Sequence, residues 1–158
     1  MKPLFFAAAL TLTATIAKAE PYLARCQMDE CIHYDQTDRQ VVGQGSATIP
    51  GELVLVTLRE AVSADPDIPA SGLAWGEPAP VQVFCSSMRP AFMSGDGRYT
   101  ALDLVTPAGA TTLITTMYLR ACHPDLGTID DPFAAAARLG YRATETGSFP
   151  DFAALIRR

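Results

Sequence analysis

Four cysteines, Cys26, Cys31, Cys85 and Cys122, limit what this chain can become more than any other feature. Each pair that oxidises fixes two points of the backbone together, and whether pairs oxidise depends on the compartment. The N-terminus speaks to that. Met1-Lys2 is a short positive start, and Leu4 to Ile16 follow without a charge, dominated by Phe5, Phe6, Ala7, Leu10 and Leu12. Ala17-Lys18-Ala19 has the small-x-small form of a cleavage site, with Glu20-Pro21 just beyond it. The apolar run is about 13 residues, against the roughly 20 that a membrane-spanning helix needs. Residues 1–19 are therefore read as a cleaved signal peptide. Residues 20–158 are read as a single exported domain, periplasmic or secreted, with no integral membrane segment left after cleavage. Leu23-Ala24-Arg25-Cys26 is a poor lipoprotein signal, because Arg25 stands where a small residue belongs and Lys18, Glu20 and Pro21 separate it from the apolar run.

An even number of cysteines in an exported chain reads as disulfides. Four cysteines allow three connectivities, and sequence alone does not choose among them. The preferred pairing closes a small local loop with Cys26–Cys31 and ties two distant segments with Cys85–Cys122. The competing arrangement gathers Cys31, His33, Cys122 and His123 around a metal, but the C-x2-C and H-x3-H spacings that mark zinc sites are missing. No metal or cofactor is expected.

Beyond residue 19 the chain carries ten arginines and no lysine against 17 acidic residues, a net charge of −7. Nucleic acid is excluded as a partner on this charge, while a cationic protein would be attracted. Without lysine there is no P-loop, Schiff base or Ser–Lys dyad.

The order of elements predicts an α+β fold, a small antiparallel sheet with C-terminal helices, stabilised by disulfides. Residues 20–31 read as an extended lead and 32–45 as a polar segment with one strand signal, Val41-Val42. Leu53 to Leu58 is a continuous β-branched and apolar run, the mark of a buried central strand. Pro66, Pro69, Pro78, Pro80, Gly72 and Gly76 make 63–80 an irregular connection carrying the only tryptophan, Trp75. Val81, Val83 and Cys85 alternate with polar Gln82, and Tyr99 to Val105 returns as the partner of that strand across the Ser94–Gly97 turn. Thr111 to Ala121 fits a helix better than a strand. Asp131-Pro132 opens a helix that Gly140 closes. Ser148 and Asp151 start a last short one running through Phe152, Leu155 and Ile156.

Candidate chemistry is thin. His33 and His123 are the only histidines, so a hydrolase would use His123 with Cys85 or Ser86, and a bridged Cys85 would have no thiolate to offer. The G-x-S-x-G elbow is absent. Met28, Met88, Met93 and Met117 form no copper-type cluster. Ser94-Gly95-Asp96-Gly97-Arg98-Tyr99 is similar to the Ser-Gly-x-x-Tyr loop of exported bacterial lysozyme inhibitors, but one residue longer. The resemblance, limited to these six residues, implies inhibition of a cationic enzyme such as lysozyme as an alternative function. The leading expectation is an exported non-enzymatic binding or accessory protein, with Trp75, Ser94, Gly95 and Tyr99 as candidate binding-loop residues.

Overall fold

The computed structural model describes residues 20–107 and 112–157. The expected signal peptide lies outside them, as does Thr111 at the start of the expected helix. Among the described residues, no helix is long and apolar enough to cross a membrane.

Seven antiparallel strands lie in chain order β1 to β7, every neighbour in the sheet also a neighbour in sequence. β1 (Tyr22–Gln27) turns into β2 (Glu30–Gln44) through Met28-Asp29. Both turn residues have positive φ, 52° and 60°, the geometry that matches strand twist in a two-residue hairpin. That register sets Cys26 opposite Cys31, and the two are bridged. β3 (Glu52–Ser63) pairs along the whole of β2 and then with β4 (Ala79–Cys85). β5 (Ala91–Met93), β6 (Tyr99–Ala101) and β7 (Gly147–Phe149) are three-residue strands that extend the sheet.

Alternation along β3 divides the core between two faces. Val54, Val56 and Leu58 meet Val83, Leu102 and Leu104 beneath helix α1 (Thr112–Cys122) and helix α2 (Pro132–Arg138). Leu53 joins Ile49, Phe84, Ala91, Tyr99 and Leu155 of helix α3 (Phe152–Leu155) in a second cluster. Tyr118 locks α1 to the sheet: its hydroxyl accepts from Ser86 N at 3.0 Å and donates to Phe84 O at 3.1 Å. The second disulfide, Cys85–Cys122, joins the last residue of β4 to the last residue of α1. At α2, Asp131 accepts from Phe133 N and Ala134 N, and the helix ends in a Schellman arrangement. Gly140 has φ 91° and donates to Ala137 O, while Tyr141 donates to Ala136 O.

The α+β class, the antiparallel sheet and both bridges agree with the sequence, and four expectations need correction. The supposed extended lead and polar segment are strands β1 and β2. β2 lacks an apolar rhythm because polar His33, Asp35 and Gln36, on both faces of the sheet, are buried. The simple hairpin expected between residues 81–85 and 99–105 is interrupted by β5, since Ala91 pairs with Phe84 on one side and with Ala101 on the other. The strand starting at Tyr99 stops at Ala101, and Asp103 then turns the chain by accepting from Val105 N and Thr106 N. Ser148 lies in β7, and Asp151 alone caps α3 through Ala154 N.

Candidate functional site

Tyr34 and Gln36 of β2 face α1, so His33 and Asp35 point to the opposite face of the sheet. There the register sets Asp35 directly across from Arg59 of β3, and the two form an ion pair. Asp35 is 2 % exposed. Its Oδ2 is held by Arg59, whereas its Oδ1 is shielded from solvent without a hydrogen-bond partner among the described residues.

The irregular connection between β3 and β4 folds back over this pair. Gly76 N donates to Glu60 O at 2.8 Å, which anchors the return of the loop. The Trp75 indole N–H donates to Ala70 O at 3.1 Å, and the Arg59 guanidinium lies 5.5 Å from the Trp75 ring centroid. Trp75 is thus half-buried as a lid over an ion pair rather than over the apolar core. A cleft of about 340 Å³ remains, lined by Glu20, Asp35, Arg59, Ser71 and Trp75 among others.

A larger cleft, about 850 Å³, lies on the α1 side of β1 between Tyr22, Thr116, Arg120 and the segment around Leu126 and Ile129. Arg120 is committed there, donating to Leu126 O at 2.7 Å and lying 5.0 Å from the Tyr22 ring. Burial, and then the nearby Tyr34 phenol, push the Tyr22 phenol well above its ordinary range. Tyr34 is pushed up to about 12 by burial and by Glu60. Neither phenol is a ready proton donor or acceptor at neutral pH.

The residues singled out for chemistry do not assemble. Cys85 is bridged, and the Ser86 Oγ accepts from Met88 N and Arg89 N. His123 Nε2 sits 2.9 Å from the Tyr141 hydroxyl, and burial together with the Arg39 charge lowers the imidazole below its usual range. His33 Nε2 lies 2.9 Å from Ser63 Oγ, which resembles a nucleophile–base pair. The Ser63 hydroxyl, however, spends its one hydrogen on Asp65 O at 2.7 Å. Nε2 must therefore donate to Ser63, the reverse of what a general base does. Cys31 and Cys122, weighed as metal ligands, belong to separate bridges.

No protein family, curated protein or solved structure matches this chain. Its function has to be read from these geometries alone.

The candidate binding residues also part company. Ser94 closes the β5–β6 hairpin on Arg98 O, and Gly95 to Arg98 are exposed. Tyr99 is 4 % exposed, with its hydroxyl donating to Gln82 Oε1 at 2.5 Å, so it belongs to the core and not to a presented loop. Trp75 alone borders an open cleft. Asp35 and Arg59 were missed in the sequence. One stands in a polar stretch and the other ends an apolar run, and only strand register brings them together.

Proposed function

We propose that this chain is an exported, non-enzymatic binding or accessory protein that recognises a cationic protein, with the Trp75 cleft as its recognition site. The observation that carries this reading is the contrast between two sets of side chains. The cysteines are bridged, and Ser63, Ser86, His33 and His123 are tied up in internal hydrogen bonds. Trp75, Asp35 and Glu20, by comparison, line a cleft open at the surface. Two disulfides suit an oxidising compartment. The net charge of −7 beyond residue 19 would steer a basic partner toward the chain.

The test has two parts. Mass spectrometry of exported material should find a chain beginning at Glu20 with no free thiol. The purified chain should then bind an identified basic protein with an association rate that falls steeply with salt, and a neutral captured partner or a flat salt response would refute the reading. A lysozyme is the narrower version, supported by the exposed Gly95–Arg98 turn and the charge. Full lysozyme activity at high micromolar concentrations of the chain would remove it. A hydrolase built on His123 with Cys85 or Ser86 is the weaker reading, because no two of these side chains share a hydrogen bond.

A further inference from the structure

Resting on that reading, the geometry points to a specific ligand chemistry for the cleft: it receives one organic cation, the guanidinium or ammonium head of a basic side chain on the partner protein, which docks on Asp35 against Trp75. Four observations converge. Asp35 is nearly fully buried, lines the cleft, and has one oxygen held by Arg59 while the other lacks a donor. An ionised carboxylate accepts about four hydrogen bonds, so Arg59 leaves room for a second donor. Glu20 lines the same cleft, so the side chains set two carboxylates against the single guanidinium of Arg59, an excess that the terminal ammonium of a chain beginning at Glu20 cancels only where it folds back onto them. The wall is the indole of Trp75, a ring that already draws the Arg59 guanidinium to 5.5 Å from its centroid.

A neutral ligand could supply a hydrogen bond to Asp35, but it would leave the surplus charge uncompensated in a half-enclosed site. An anion would be repelled by Glu20 and Asp35. A cation satisfies the orphaned oxygen and the charge together. Because that oxygen is shielded, the head group reaches it only as Trp75 or Arg59 shifts, so binding must register at the indole.

Trp75 is the only tryptophan, and its single indole N–H cross-peak in a two-dimensional NMR spectrum reports on this cleft without ambiguity. Ethylguanidinium and n-butylammonium are titrated into the protein beginning at Glu20, with N-ethylurea and 1-butanol as uncharged controls of similar shape. A saturable indole shift is expected with the two cations, at about the 1–10 mM affinity such small probes allow, and none with the controls. Asp35→Asn should weaken the response at least tenfold. Should Asp35→Asn fold poorly, Glu20→Ser, on an exposed residue, should still weaken it about two- to threefold. Equal responses to cations and controls, or an unchanged response in both variants, would overturn the assignment. So would an indole that ignores cations but moves when residues are added before Glu20, since the chain's own terminal ammonium would then occupy the site. Partner binding that survives Asp35→Asn intact also refutes this site while leaving the binding function standing. A cation response without any basic partner supports the site and withdraws the protein-partner reading.

Discussion

Removing the two disulfides separately should destabilise the protein by unequal amounts, and the inequality follows from the chain lengths they close. Cys26 and Cys31 are 5 residues apart, whereas Cys85 and Cys122 are 37 apart. In the chain-entropy account the short bridge restricts the unfolded chain by about 2 kcal/mol and the long one by about 4 kcal/mol. Packing narrows the gap, because Cys31 is fully buried, whereas Cys85 and Cys122 are partly buried against the main core and Cys26 is exposed beside the β1–β2 turn. The two double variants, Cys26→Ala with Cys31→Ala and Cys85→Ala with Cys122→Ala, would be compared with the parent by equilibrium urea unfolding. The long-bridge variant is expected to lose about 1–2 kcal/mol more than the short-bridge variant. It should also release α1 first, because that bridge fastens the end of α1 to the end of β4. A short-bridge variant that lost as much as the long-bridge one would refute the reasoning. It would mean that the β1–β2 hairpin, not the α1 clasp, holds the fold together.

Further outcomes follow from single side chains. Tyr118→Phe removes a buried hydroxyl and leaves Ser86 N with Phe84 O as its one remaining acceptor, so chemical denaturation should show a loss of about 1 kcal/mol. Gly45→Ala would bring a new Cβ within 2.3 Å of Ile49 O, a backbone atom that cannot swing aside; thermal melting should report a loss of about 3 kcal/mol. Asp131→Ala uncaps α2 and should cost about 1 kcal/mol in the same melt. His123 is held below the ordinary imidazole range by burial and by Arg39, so the neutral ring is the form the fold accepts. Its contribution is complete above pH 6.5 and is lost as the pH falls, because the unfolded chain takes the proton first. The urea midpoint should therefore drop between pH 8 and 5.5, and His123→Gln should flatten that drop.

Legibility followed the physics of each element. α2 was readable because its signals are local: Asp131 caps, Pro132 opens and Gly140 closes within ten residues. β3 was readable because both its faces meet apolar side chains. β2 was hidden because three of the five side chains it buries, His33, Asp35 and Gln36, are polar, and burial of Asp35 depends on Arg59 in the next strand. β5 was hidden because three residues carry no period, and only pairing with β4 and β6 on either side makes them a strand.

The amino-acid sequence by itself determined the preference for disulfides, the acidic balance, the absence of lysine chemistry beyond residue 19 and the helix caps, since each depends on residue identity or on neighbours a few positions away. Tertiary structure alone decided that Tyr99 is core, that His33 donates to Ser63, and that Trp75 closes over a half-paired carboxylate. Those outcomes depend on which strands lie side by side, and strand register is a property of the whole sheet that no short stretch of residues encodes.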